Sequence, residues 1–206
     1  MLKMFFYFVG LIILLAGGAS IYHLYKVKAK NKAEMNNFSN DVALQANLGK
    51  VLVVYYSLSG HTKDIALQIA EKTNADLYEI ETAETYSSPS VYMKSKQELT
   101  SQNYPELKNN VLPDASDYDV IFVGAPVWWY TMAPALYSFL NKFDFKNKNA
   151  VPFSTQGSNF GSFFKDFADK AQNAEILQSE NFNNMEEKYK PQISNKINAW
   201  LNKIAK

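Results

Sequence analysis

The 206-residue sequence contains no cysteine and no arginine, and its only histidines are His23 and His61. The absence of cysteine excludes disulfides, thiol catalysis and iron–sulfur ligation. Without arginine there is no bidentate guanidinium contact to phosphate, so an anionic ligand would depend on backbone N–H groups and hydroxyls. A histidine-rich metal site is excluded, and a Ser-His-Asp site would have to use His61.

Positive charge is concentrated at the N-terminus. Five of the 21 lysines lie within the first 32 residues, whereas residues 41–206 carry 16 lysines and 19 acidic residues. A region with a small negative net charge has no basic field that would attract nucleic acid. We therefore expect no nucleic-acid partner.

The N-terminal segment is apolar from Met4 to Tyr25. As a helix it would be about 33 Å long, which is enough to cross the core of a bilayer. The lysines that follow outnumber Lys3 before it, so the positive-inside rule predicts a membrane-anchored domain on the cytoplasmic face. The small residues before Ser20 could form a signal-peptidase site, so a cleaved signal peptide and an exported domain are the alternative. A third interpretation is an amphipathic or artefactual segment.

The rest of the chain alternates short apolar runs with amphipathic stretches. The predicted strands are 50–56, 77–80, 119–124, 150–154 and 175–178, and the predicted helices are 62–73, 91–101, a stripe over 132–143, 163–171 and a last helix from about Pro191. Continuous β-branched runs are typical of strands buried on both faces of a parallel sheet. This order predicts a doubly wound α/β sheet, whose ligands bind beyond the carboxyl ends of the strands. We predict residues 1–30 as the anchor or signal segment, 31–49 as a polar linker and 50–206 as one domain.

The first of three loops at that edge follows the first strand and opens a helix. A helix N-terminus carries about +0.5 of a charge and unpaired N–H groups, so it attracts anions. Neither a Walker loop nor a Gly-x-Gly-x-x-Gly fingerprint occurs in the sequence, and an ordinary helix cap is the alternative. The candidate phosphate-binding residues are Ser57, Ser59, Gly60, His61 and Thr62.

The other two loops differ in chemistry. Three large aromatic residues lie together after the third strand, where a planar ligand could stack on them. Glycines and short polar residues follow the fourth strand and suit backbone hydrogen bonds to the edge of a ring. The candidate residues are Pro126, Val127, Trp128, Trp129 and Tyr130 in the former loop, and Thr155, Gly157, Ser158, Asn159 and Gly161 in the latter.

With these three loops in place, residues 50–201 resemble the flavodoxin family. The motifs that carry the resemblance are Tyr56–Thr62, Asp117–Gly124 and Pro126–Trp129. The resemblance implies a flavodoxin-like three-layer sandwich with a five-stranded parallel sheet in the order 2-1-3-4-5. It also implies that the first loop holds the phosphate of flavin mononucleotide (FMN) and that the other two flank its isoalloxazine ring. Two features depart from the family: Tyr130 replaces a glycine found in many relatives, and the domain is less acidic than electron-shuttling flavodoxins.

The function implied is an FMN-binding redox protein that carries electrons between a reductase and an acceptor near the membrane. Its partners would be redox proteins or a small quinone-like acceptor. One alternative is an NAD(P)H-dependent quinone reductase that uses FMN, and another is a flavin-free binding module on the same fold. No residue stands out as a catalytic acid or base, so the sequence leaves open whether the protein is an enzyme or a carrier.

Overall fold

The computed structural model of the chain describes residues 2–87, 90–109, 111–184 and 187–205. Within these ranges the helices are α1 (Leu2–Asn36), α2 (His61–Thr73), α3 (Val91–Ser101), α4 (Pro134–Leu140), α5 (Phe163–Lys170) and α6 (Lys190–Ile204). The strands are β1 (Val51–Tyr55), β2 (Asp76–Glu79), β3 (Val120–Trp128), β4 (Thr131–Met132), β5 (Asp144–Gln156), β6 (Gln172–Ile176) and β7 (Glu180–Asn183).

The main sheet is parallel and has the strand order β2-β1-β3-β5-β6. The predicted order 2-1-3-4-5 is confirmed, with β5 and β6 as the fourth and fifth strands. The predicted fifth strand, 175–178, is wrong in its bounds, because the chain pairs with β5 twice, first through β6 and then through β7. A further strand, β4, pairs antiparallel with the end of β3.

Helices cover both faces of the sheet, as predicted for a three-layer sandwich. In β1, Val51 and Val53 belong to one buried cluster and Leu52 and Val54 to the other, because successive side chains of a strand point to opposite faces. On one face α2 and α6 contribute apolar side chains, among them the fully buried Trp200. On the opposite face α4 and α5 contribute theirs. This burial on both sides explains why β1 and β3 are continuous apolar runs.

The N-terminal helix is longer than the apolar segment that predicted it. It continues through the lysines to Asn36, and it is long and apolar enough to cross a membrane. Residues 11–26 of the helix are exposed, whereas Met35 near its end is only 1% exposed. These features are compatible with a membrane anchor or a signal sequence.

The predicted linker, residues 31–49, packs along α6 in the structure. The side chain of Asn195 donates to the carbonyl of Phe38 (3.0 Å), and that of Asn202 donates to the carbonyl of Ala43 (2.9 Å). The Asn202 side chain also accepts from the backbone N–H of Gln45 (2.7 Å). Polar composition alone predicts a solvated tether, but here the asparagines of α6 satisfy the backbone of the segment.

Candidate functional site

A cavity of about 560 Å³ opens at the carboxyl edge of the sheet. This volume lies within the usual range for sites that bind small molecules and cofactors. Twelve of the fifteen residues predicted to bind a cofactor line it: Ser59, His61, Thr62, Pro126, Val127, Trp128, Trp129, Tyr130, Thr155, Gly157, Ser158 and Asn159. Ser57, Gly60 and Gly161 are not among the lining residues.

The first loop ends at the N-terminus of α2. Gly60 precedes the helix with a φ of 94°, which favours glycine, and no side chain caps the first turn. A Cβ atom at Gly60 would have no other atom within 4 Å, so the loop leaves open space beside the helix end. Ser57 lies behind the loop, where its Oγ accepts from the Gly60 N–H (3.2 Å). The first-turn N–H groups of α2 therefore lie beside open space, which suits an anion.

Two buried hydroxyls connect the first loop to the end of β5. The Oγ1 atoms of Thr62 and Thr155 are 2.7 Å apart, and both residues are at most 3% exposed. Both also line the cavity. A hydroxyl can both donate and accept a hydrogen bond. This uncharged pair can therefore offer a ligand either a donor or an acceptor.

The second loop is a tight hairpin that joins β3 to β4. Its two central residues, Trp129 and Tyr130, have φ values of 53° and 62°. Such turns usually hold Asn or Gly, because both central residues need a positive φ. Left-handed backbone at two large aromatic residues costs about 1 to 2 kcal/mol per residue, so the surrounding structure must compensate.

Contacts from α5 and its preceding loop hold this hairpin. The Ser162 N–H and Oγ both donate to the Tyr130 carbonyl, at 2.7 and 3.2 Å. Gly161 lies directly against the same carbonyl, and a Cβ atom there would come within 2.1 Å of it. Gly161 therefore supports the hairpin rather than lining the cavity.

The two tryptophans of the hairpin have different environments. Trp128 is half-buried and makes edge contacts with Tyr56 and Tyr86, at centroid distances of 5.8 and 5.1 Å. Trp129 is 43% exposed and packs over α3, where its indole N–H donates to Ser95 (3.1 Å). Trp128 thus closes the edge of the core while it lines the cavity, and Trp129 forms part of the rim.

The tyrosines behind Trp128 remain neutral in the fold. The Tyr86 hydroxyl donates to Glu98 at 2.6 Å, and both residues are at most 9% exposed. Burial, followed by the nearby Glu98 carboxylate, raises the pKa of both Tyr56 and Tyr86 well above its ordinary value. The two tyrosine hydroxyls behind Trp128 are therefore neutral at any physiological pH.

Six lining residues are not among the fifteen named from the sequence: Leu58, Val91, Tyr92, Ser95, Gln156 and Asn184. Three of them lie on α3, which starts at the carboxyl edge because it follows β2. The rule that strand-to-helix loops share one edge could have found them. Asn184 follows β7, a strand that the sequence did not reveal.

The cavity lining contains no Asp, Glu or Lys among its eighteen residues, and it has one histidine, His61. Within the described ranges no group of three His, Asp or Glu residues could hold a metal ion. The site therefore offers hydroxyls, amides, N–H groups and aromatic surfaces. Such a site can bind a planar ligand with an anionic group.

Comparison with protein families gives one match that covers nearly the whole domain. Residues 50–204 match the family model described as Flavodoxin. No curated protein sequence matches the chain.

Similar solved structures are flavoproteins of comparable length to the domain. A flavoprotein from Bacteroides uniformis is 26% identical, with a TM-score of 0.63 over 75% of this chain and 98% of that one. One from Bacteroides eggerthii is 28% identical, with a TM-score of 0.61 over 76% and 98% of the two chains. A flavoprotein from Lactobacillus acidophilus, solved in complex with FMN, is 24% identical, with a TM-score of 0.57 over 64% and 92%. Together these matches show that the domain shares its fold with flavoproteins.

Proposed function

The chain belongs to the flavodoxin family, and on that premise we propose that it binds FMN and carries electrons between a reductase and an acceptor near a membrane. The observation that carries the proposal is the cavity that the three predicted loops form at the carboxyl edge of the sheet. An FMN-bound relative has the same fold. Bound FMN would supply the redox chemistry, and the protein would bind it, orient it and set its potential.

The residues present fit the two ends of FMN. The open space beside Gly60 and the N-terminus of α2 suits the phosphate, with Ser59 and Thr62 as hydroxyl donors. The aromatic surfaces of Trp128 and Trp129 suit the planar ring system. No arginine or lysine is needed, because backbone N–H groups and the helix end provide the positive potential.

The hairpin is held in place at Tyr130, where the sequence departs from the glycine found in many relatives. Here two hydrogen bonds from Ser162 hold the Tyr130 carbonyl, and Gly161 packs against it. We infer that this backbone stays fixed during turnover, and that the hairpin acts as a rigid wall of the site.

The lining favours a carrier over an NAD(P)H-dependent quinone reductase. A dinucleotide brings its own phosphates to the flavin, and such groups are usually met by cationic side chains. The cavity offers none. We expect that the full-length protein with FMN oxidises no NADPH when only a quinone is added, and that it accepts electrons once a flavodoxin reductase is present. Steady NADPH oxidation with quinone alone would establish the reductase alternative.

The N-terminal helix supports an uncleaved anchor with the domain on the cytoplasmic face. The helix runs without interruption from its apolar part into turns that pack on the domain, where Met35 is buried. Four lysines follow the apolar part, as expected for its cytoplasmic end. N-terminal sequencing of the protein from washed membranes tests this, because an uncleaved anchor starts at Met1 and a cleaved one at about Ser20.

A further inference from the structure

We propose that the cavity edge of the domain faces the bilayer and that the apolar rim of the cavity rests against the lipid surface. The inference rests on the anchor and the FMN site of the proposed function. It adds an orientation, because an anchor by itself would leave the domain free to turn in any direction.

The end of α1 is fixed to the domain by a buried ionic cluster. Lys196 of α6 has a side chain that is only 4% exposed, and its Nζ lies 2.6 Å from Glu34 of α1 and 3.2 Å from Glu180 of β7. Removing one partner of such a cluster leaves a buried charge unpaired, which is costly. Met35, 1% exposed, adds apolar contact beside it. The anchor helix is thus attached to the domain at a defined place.

That place is next to the cavity. The Asn183 side chain donates to Glu34 (3.3 Å) and accepts from the side chain of Gln156 (3.3 Å). Gln156 lines the cavity, so Glu34 is two hydrogen bonds away from it. Asn183 and Gln156 lie at the carboxyl ends of β7 and β5.

The path of the chain after α1 agrees with this. Phe38 bonds to Asn195 in the first half of α6, and Ala43 bonds to Asn202 near its end. The chain then enters β1 at the opposite, amino-terminal edge of the sheet. Residues 37–49 therefore cross the domain from the cavity edge to the far edge, and α1 joins at the cavity edge.

The distance to the membrane is short. Glu34 follows Tyr25, the last residue of the apolar segment, by nine positions, which is about 14 Å along a helix. The headgroup layer takes up about 5 to 8 Å of this. Lys26, Lys28, Lys30 and Lys32 lie in and just beyond that layer, and all four are exposed and complementary to anionic lipids.

The rim of the cavity has the side chains that such a surface binds. The exposed large apolar residues that line the cavity are Leu58 (45% exposed), Tyr92 (70%), Trp129 (43%) and Tyr130 (66%), and Phe160 (39%) lies in the third loop close by in the chain. They come from all three loops of the site and from the start of α3. Tryptophan and tyrosine are favoured where hydrocarbon meets headgroups. A rim of this kind, beside the anchor, fits a lipid surface, and an electron acceptor would then reach the flavin from the membrane side.

The absence of cysteine allows a direct test with single labels. Phe160→Cys places a fluorophore on the cavity edge, and Lys142→Cys, after α4, places one on the opposite edge. Each full-length variant is reconstituted in vesicles of phosphatidylcholine and phosphatidylglycerol that contain a headgroup-labelled quencher lipid. We expect several-fold stronger quenching at position 160 than at 142. Glu34→Ala combined with Met35→Ser should remove the difference, and Ala33→Ser, an exposed neighbour on the same helix, should preserve it.

Equal quenching at the two positions in the otherwise unchanged protein would overturn the orientation. FMN content is measured on the same vesicles, so the two proposals fail separately. Stronger quenching at position 160 in a protein that takes up no FMN would support the orientation and contradict the flavin site. Failure of the protein to float with the vesicles would refute the anchor, and with it the orientation.

Discussion

The clearest prediction for the phosphate end of the site is that Gly60→Asp weakens FMN binding through charge. Gly60 precedes the N-terminus of α2, and a side chain there would enter space in which no other atom lies within 4 Å. A carboxylate in that space would lie close to an anion held by the first N–H groups of the helix. It would also neutralise the positive end of the helix dipole.

The size of the effect follows from Coulomb's law. Two unit charges 5 Å apart repel by about 1 kcal/mol in water and by about 3 kcal/mol at an effective dielectric constant of 20. The site lies at the protein surface and the phosphate carries more than one charge, so we expect a loss of about 2 to 4 kcal/mol, or about 30- to 1,000-fold in Kd.

Gly60→Asn is the matched control, because Asn has the same shape as Asp and meets the same backbone strain at a φ of 94°. Each variant is titrated with FMN and with riboflavin, which lacks the phosphate, and binding is followed by quenching of flavin fluorescence. We expect the Asp variant to bind FMN far more weakly than the Asn variant, with equal affinities for riboflavin. Equal FMN affinities of the two variants would show that the phosphate does not bind at α2.

Three further predictions concern the stability of the domain. Trp128→Ala should lower the free energy of unfolding by about 1 to 3 kcal/mol, since the ring packs on two tyrosines, and an unchanged urea midpoint would contradict this packing. Lys196→Met should lower the free energy of unfolding of the full chain by about 3 to 5 kcal/mol, because it leaves two carboxylates unpaired. The control Lys108→Met removes an exposed ion pair and should lower it by less than about 1 kcal/mol. Equal Tm values of the two variants would contradict this difference. Burial raises the pKa of Tyr137 to about 12, so the unfolded chain loses this proton first and the free energy of unfolding falls between about pH 10 and 12. Tyr137→Phe should reduce this fall, measured as the urea midpoint at each pH. An identical pH profile of the variant and the unchanged protein would contradict the prediction.

The sequence predicted those elements whose burial follows a simple pattern. The continuous apolar run of β1 and the helical spacing of Ile65 and Ile69 in α2 each reflect packing against the sheet. The helix at Val91–Ser101 has the predicted bounds. In these segments the local pattern and the tertiary environment agree, so periodicity was sufficient.

The sequence failed where distant contacts determine the structure. The extension of α1 to Asn36 depends on Lys196, which lies 162 residues away from Glu34. The hairpin at Trp129 and Tyr130 has none of the usual turn residues, because its left-handed backbone is held by Ser162 and by contact with Gly161. Local propensity contains no information on either contact.

Twelve of the fifteen predicted site residues line one cavity, because the three loops that carry them follow three strands of one parallel sheet. Once the strands are assigned, topology brings their carboxyl ends to one edge. The sequence analysis missed lining residues such as Tyr92 and Asn184. They lie on α3 and after β7, and only the folded structure shows that these elements are close to the cavity. Gly161 was predicted as a site residue because it lies in the third loop, but in the structure its lack of a side chain allows the hairpin to pack against it.

The absorbance spectrum of the purified full-length protein, as isolated and after addition of FMN, tests the central claim most directly. The proposed function predicts the absorption bands of an oxidised flavin, and release of FMN, identified by chromatography, when the protein is denatured. A folded protein that neither carries nor takes up FMN would contradict the flavin site and would favour a binding module that has kept the fold for another ligand.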